Sequence, residues 1–302
     1  MLGGNALFSP HSMRINLIQV PYHLKAEGVG MGRGPLRFVE AGLVEKLRQR
    51  GHTVDIDTVR VQPKLEDDLD AIARINAELS SYVEASISNG RFPLVLGGNC
   101  NTCLGVLAGL APARTGIIWF DAHGDFNTPE TSPSGFLDGM ALAMATGHCH
   151  ERLWQEVGDG GPVPESHTLL VGVRDLDEEE RRALELSKVL VVPAAALKRR
   201  GGRGSLVTAL EQLRSQTDEI YLHLDIDVLD PEEAPGVEFR SRGGLFLNEM
   251  EPALETIGKY FRIRAANLAA YNPDLDENDT TLRSGFRLLA AVVDAVSARR
   301  DV

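Results

Sequence analysis

Cysteine is scarce in this chain, with three in 302 residues. Three thiols cannot make a disulfide framework, which excludes the small stapled scaffolds of secreted proteins and fits a reducing cytoplasm. Positive charge is also short: 31 Lys and Arg stand against 43 Asp and Glu, for a formal net charge of -12. Binding to phosphate backbones needs a basic face, so nucleic acid is not expected as a partner. The acidic balance suits a soluble protein that handles a small cationic or zwitterionic molecule. No apolar run reaches the roughly 18 residues of a membrane span, so no membrane association is expected. Met1–Ser12 has no charged stretch followed by an apolar core, so no secretory leader is expected either. What remains is 43% hydrophobic and 25% charged residues, enough to bury a large α/β core.

Short apolar runs alternate with longer helical patterns. The runs predict strands at Arg14–Val20, Thr53–Thr58, Phe92–Leu96, Gly116–Phe120, Thr168–Val173, Lys188–Val192, Ile220–Asp225 and Ile263–Leu268. Helices are predicted at Leu36–Arg50, Leu69–Asn89, Thr102–Leu110, Asp138–Thr146, Glu178–Leu186, Ser205–Ser215, Asn248–Ile257 and Asp279–Arg299. Strands joined through helices imply a parallel sheet covered on both faces. No repeat and no long linker interrupts the pattern, so residues 1–302 read as one domain. In such sheets ligands bind beyond the carboxyl ends of the strands.

Two acidic clusters sit at such ends. Thr115–Phe120 leads into Asp121-Ala122-His123-Gly124-Asp125, and Glu219–Leu224 leads into Asp225-Ile226-Asp227. Side chains two apart on a strand share a face, so each set is expected to converge. Buried carboxylates in that number need a cation, and oxygen with imidazole donors suits a pair of divalent ions such as Mn²⁺. Asp is also common in loops after strands, and Asp227–Pro231 reads as a turn. Leu94–Cys103 runs strand, Gly-Gly turn, helix start, which puts Cys100 at the same sheet edge. Cys100 and Cys103 also form a Cys-x-x-Cys at a helix start, where thiol pKa values fall, so a thiol-redox protein is a competing reading. The glycine-rich Gly28–Pro35 does not match a dinucleotide fingerprint and reads as a loop feeding the next helix. His148-Cys149-His150 follows a helix and reads as a loop, with a satellite metal site as the alternative. Asp177 and Glu180 suit a helix N-terminus, or else the capture of a substrate ammonium.

Taken in order, these motifs resemble the arginase–agmatinase–formiminoglutamase (ureohydrolase) family over nearly the whole length. The likeness rests on Gly30–Arg37, Gly97–Cys100, Asp121–Asp125 with Asn127–Pro129 and Ser134–Gly135, Gly172–Asp177, and Asp225–Gly236. Gly124–Thr131 and the cysteine at 100 are similar to the hydroxyarginine hydrolase of D-cycloserine biosynthesis. The resemblance implies a three-layer, doubly wound, eight-stranded parallel sheet of arginase-like α/β class. It implies attack on a guanidino or formimino carbon by a hydroxide that bridges two Mn²⁺ ions. One ion would be held by Cys100, Asp121, Asp125 and Asp225, the other by Asp121, His123, Asp225 and Asp227. Asp125 would carry a proton to the leaving amine, with Asp138 in the place of arginase's proton-shuttling histidine and His223 supporting the ligands. Asn127, Ser134 and Asp177 match positions that bind the amino-acid end of arginine. A cytoplasmic homo-oligomer, trimeric or hexameric, acting on a small molecule is implied as well.

Four positions depart from the family pattern. Asn99 and Cys100 replace an aspartate and a histidine ligand, and thiolate is a softer donor, better suited to Zn²⁺ or Fe²⁺. Ala270 stands where the family's late Glu-x-Asn-Pro has the glutamate that grips the guanidinium. Asp138 replaces a histidine. These departures also leave open a catalytically impaired paralogue that kept the fold.

Overall fold

The computed structural model describes residues 12–62, 65–110, 115–199 and 202–298. Met1–His11, at the sequence-predicted absence of a leader, and Arg299, at the end of the last predicted helix, lie outside them. The strands are β1 Arg14–Val20, β2 Tyr22–His23, β3 Ala26–Glu27, β4 Thr53–Thr58, β5 Phe92–Gly97, β6 Thr115–Phe120, β7 Thr168–Val171, β8 Leu190–Val192, β9 Glu219–Asp225 and β10 Arg262–Ala269. Eight of them form one sheet in the order β4-β1-β5-β10-β9-β6-β7-β8, while β2 and β3 make a small hairpin. Every pairing in the large sheet is parallel. The expected eight-stranded parallel sheet is therefore present.

The sheet is covered on both faces, because its central strands are apolar on both. β5 and β6 are buried at every position. Leu17, Leu94, Ile118, Leu222 and Ala266 face one core, closed by helices Leu247–Tyr260 and Thr280–Ala298. Ile18, Val95, Ile117, Trp119 and Tyr221 face the other, closed by helices Asp68–Ser88 and Cys103–Leu110. This alternation along each strand fixes the register, since a shift by one residue would exchange the two cores.

Several sequence-predicted boundaries need correction. The helix predicted at Leu36–Arg50 is two helices, Gly34–Glu40 and Leu43–Gln49, broken at Gly42, whose φ of 89° is left-handed. The strand predicted to run through Val173 stops at Val171, because Gly172 turns to φ 96°. The strand predicted from Lys188 begins at Leu190. The backbone N–H groups before it are already taken: Lys188 donates to Glu165 and Val189 to the Ser187 hydroxyl. The helix predicted at Asp138–Thr146 opens with a 3₁₀ turn, Asp138–Met140, before the α-helix Ala141–Thr146. Short helices at Leu153–Val157 and Ala194–Lys198 were not predicted, since five residues carry too little periodicity to be read.

The turn after β5 is built on close backbone approach. A Cβ on Gly98 would lie 2.0 Å from the carbonyl oxygen of Tyr22. Glycine there lets the β5 turn pack under the first loop, and this carries Cys100 to the sheet edge.

Candidate metal centre

β6 and β9 are neighbours in the sheet, with Trp119 opposite His223 and Phe120 opposite Leu224. Continuing that register brings Asp121 beside Asp225 just where both chains leave the sheet. The convergence within each cluster does not come from strand alternation, however. Asp225 ends β9 and caps a 3₁₀ turn, Ile226–Val228, by accepting from the Asp227 N–H at 2.7 Å. Asp121 lies beyond the end of β6, and Asp125 sits at φ 48°. Turns gather these side chains, because Asp121 and Asp225 each capture the backbone N–H two residues on.

The donors form two groups that share Asp121. Ligand atoms of Cys100, Asp121 and Asp225 lie within 4.8 Å of one another, and so do those of Asp121, His123 and Asp227. Asp125 belongs to neither group. It lines the adjoining cavity together with Asn127, Ser134, Asp138 and Asp177. All the residues read from the sequence as ligands or substrate contacts are thus brought to one place, with His223 as the exception. That ring is fully buried, stacked on Trp119 at 3.6 Å and 9°, with Nδ1 2.8 Å from the Tyr221 hydroxyl. Trp119 in turn donates to Asp121 at 2.9 Å. His223 therefore lies beneath the floor of the site and does not line the cavity.

The electrostatics are dominated by burial. Asp121 is 1% exposed. Desolvation, with Asp227 close by, pushes its carboxyl pKa up from 3.8 to about 6. Burial drives Asp125 and Asp225 well above the carboxylate range too. Asp227 goes the other way: burial opposes its ionisation, but His123, the Ala122 N–H and Arg174 hold its pKa low. His123 Nδ1 lies 3.0 Å from Asp227 and 3.4 Å from Asp121. Burial works against its charge, yet these carboxylates push its pKa up to about 12. His123 and Arg174 are counter-charges of the cluster.

A pH dependence follows with a definite sign. A carboxyl whose folded pKa is raised stabilises the fold at low pH, and that contribution is lost as pH rises from 3.8 through about 6. His123 gives stability below 6.5 that fades as pH climbs towards about 12. Both act in one direction. Chelator-treated protein is expected to melt at progressively lower temperature between about pH 5 and about pH 8, with the increment from added divalent cation growing over the same range. Differential scanning fluorimetry with and without chelator checks this, and a melting temperature that rises with pH in the chelated protein would contradict it.

Cys100 is buried with its sulfur 3.0 Å from Asp225 Oδ2, so the thiol donates to the carboxylate. The lowered thiol pKa expected at a helix start is not found. Desolvation first, then the surrounding aspartates, push Cys100 and Cys103 well above the ordinary thiol value. Cys103 faces the Ala141 carbonyl, and no disulfide joins the two. Asp138 is anchored: it accepts from Asn99 Nδ2 at 2.9 Å and from the Cys100 and Asn101 N–H groups at 2.7 and 3.3 Å. Asn99 thus exchanges the expected charge for a brace on Asp138. Asp177 begins helix Glu178–Leu186 without a side-chain capping bond and accepts instead from Asn127 at 3.0 Å. Glu180 accepts from the Phe126 N–H, and burial raises its pKa to about 7.

One residue carrying much of the site was not singled out from the sequence. The Arg174 guanidinium donates to the carbonyls of Gly172, Asp227, Val228, Leu229 and Ser241 at 2.7–3.2 Å. It fastens the turn holding Asp227 to the end of β7. Its signal, an arginine inside Gly172–Asp177, was visible only as part of a motif. Arg174→Lys cannot fill five acceptors from one ammonium, and a loss of about 2–3 kcal/mol of stability is expected. Urea denaturation measures it, and a midpoint within error of the parent would show the five contacts to be dispensable.

Comparison with known proteins agrees with this geometry. The model of the arginase family matches residues 13–294. The arginase of Bacillus caldovelox is 35% identical over 290 residues, which is 92% of this chain and 97% of that one. The arginase of Bacillus subtilis is 34% identical over 288 residues, covering 92% and 97%. The arginase structure from Bacillus cereus superposes with a TM-score of 0.84 at 35% identity, covering 93% of this chain and 98% of the other. That of Entamoeba histolytica in complex with L-ornithine gives 0.81 at 27% identity, covering 93% and 99%. Eight parallel strands in the same layers, the acidic turns at their carboxyl ends and a family match over nearly the full length lead to one conclusion: the chain belongs to the arginase family.

Proposed function

We propose that this protein hydrolyses a linear C–N bond in a small guanidino or amidino compound, working with two divalent cations. The observation that carries the proposal is the pair of donor groups sharing Asp121. The residues fit such a pair. Two sets of three donors lie within 4.8 Å. The buried carboxylates of Asp121 and Asp225 resist ionisation although His123 and Arg174 stand near the cluster, and that excess of acid is what a metal pair neutralises. Cys100, Asp121 and Asp225 would hold one ion, and Asp121, His123 and Asp227 the other, with Asp125 beside them. Bound divalent cations supply an acidified water and Lewis-acid polarisation. Mn²⁺ is the ion suggested by the family, while the thiol of Cys100 favours a softer one on its side.

The chain's own residues do the rest. Burial raises the hold of the Asp125 carboxyl on a proton, and its place at the cavity wall suits it to pass a proton to a leaving amine. Asp138, held by Asn99 and two N–H groups, fixes the loop of Cys100 and does not swing freely as a shuttle. Asn127, Ser134 and Asp177 offer neutral and anionic contacts for a zwitterionic end. The cavity has a volume of about 180 Å³, the scale of a small amino acid or amine. Three free, buried cysteines suit a reducing compartment such as the cytoplasm. No helix among the described residues is long and apolar enough to cross a membrane. A homo-oligomer is part of this reading through the family alone.

The test is release of urea or ammonia from L-arginine, agmatine and N-hydroxyarginine by protein loaded with Mn²⁺ or Zn²⁺. Turnover well above that of chelator-treated protein is expected. If the ions bind and no compound is hydrolysed, the chain is an impaired paralogue and the proposal falls.

A further inference from the structure

The cavity is lined by many carboxylates, and most of them have their partners inside the protein. Asp138 accepts from three donors, Asp177 from Asn127 and Glu180 from Phe126. Asp225 and Asp227 are committed to the metal groups. Glu238 is different. It lines the same cavity as Cys100, Asp125 and Ala270, its side chain is 28% exposed, and its Oε1 lies 3.9 Å from His23 Nδ1. The hydrogen bond it accepts comes from the neutral Asn272 Nδ2 at 3.1 Å.

The position of Glu238 is set by backbone pairing. The Asn272 N–H donates to the Gly236 carbonyl at 2.9 Å. This stitches the segment of Glu238 beside the segment of Ala270, whose methyl offers the cavity no charge. A Cβ on Gly30 would lie 3.4 Å from Glu238 Oε1 and 3.0 Å from His23 Nδ1, so the glycine leaves the carboxylate room. Next in the chain, Phe239 lines the same cavity while 53% exposed, its ring 5.7 Å from that of Phe136. Exposing a large apolar ring beside a carboxylate costs stability unless something covers it. A planar cation satisfies both, since guanidinium stacks on aromatic faces while its N–H groups fork onto a carboxylate.

We propose that Glu238, with Phe239 beside it, is the specificity-determining contact for the cationic group of the substrate, set on the segment next to Ala270. This rests on the hydrolase reading for its substrate class, but its test does not. L-arginine and agmatine are titrated calorimetrically into metal-loaded protein, each against its neutral ureido isostere, L-citrulline or N-carbamoylputrescine. The parent protein is expected to prefer the cationic member of a pair. Glu238→Gln keeps the shape and the bond from Asn272, and is expected to weaken the cationic member about 10- to 100-fold while leaving the neutral isostere within about twofold. Metal content should be unchanged in the variant. Ala270→Glu in the Glu238→Gln background is expected to restore the preference. Equal loss of both members, no change in either, or no binding of any of the four by the parent would overturn the assignment. Absence of hydrolysis in a parent that still shows the charge preference would sink the hydrolase reading and leave this one standing.

Discussion

Asp121→Asn is expected to move metal binding and fold stability in opposite directions. Asp121 belongs to both donor groups. Removing its charge takes a ligand from each ion at once, so loss of both ions and a fall in turnover of at least about 10³-fold are expected. The metal-free protein should gain. Its carboxyl, 1% exposed, has a pKa raised to about 6, which means that ionising it at neutral pH costs the fold free energy. An amide removes the charge but keeps one acceptor for two donors, since Trp119 and the His123 N–H bond different oxygens of Asp121, so the gain expected in the chelated protein is cut to about 1 kcal/mol. Elemental analysis and paired melts with and without chelator read the two signs. Unchanged metal content in Asp121→Asn would remove the shared-ligand reading altogether.

Cys100→His is expected to exchange metal preference. The thiol is protonated and donates to Asp225, so a cation must displace that proton against burial and four aspartates. A neutral imidazole has no such proton to lose and is a harder donor. The side chain faces the cavity, which gives a ring room. Mn²⁺ affinity at neutral pH is expected to rise at least about 10-fold, and Zn²⁺ to lose its advantage on that side. Competition between the two ions, followed by elemental analysis, decides it. If Cys100→His binds Mn²⁺ no better than the parent, Cys100 is not a ligand. If Cys100→Ser behaves like the parent, the sulfur contributes nothing particular.

The conformational side of these variants is constrained by the same contacts that build the site. Asp138 pins the N–H groups of Cys100 and Asn101, and Arg174 pins the carbonyls around Asp227. The donor residues on either side of Asp121 are thus held by groups outside both donor sets. Changing a donor leaves those braces intact, which is why the variants are expected to fold.

Much of this architecture is legible in the order of residues. Apolar runs such as Phe92–Leu96 and Ile220–Asp225 identify strands because a sheet buried on both faces tolerates few polar side chains. The acidic clusters after Phe120 and Leu224 mark the carboxyl ends, and the family motifs name the chemistry. Where the sequence reading went astray, a through-space effect had the deciding voice. The helix from Leu36 breaks because Gly42 turns left-handed between two packed segments. The Cys100 thiol, read as acidified by a helix start, is instead made more basic by burial among aspartates.

By itself the sequence determined the class of fold and the kind of donors, because both follow from local pattern: periodic burial and oxygen-rich turns after strands. The tertiary structure decided which donor side chains come within reach of one another, which carboxylates burial makes harder to ionise, that Arg174 ties five carbonyls together, and that Glu238 comes beside Ala270. Those outcomes depend on distances between residues far apart in the chain and on the loss of water around them, and neither is written in any single segment.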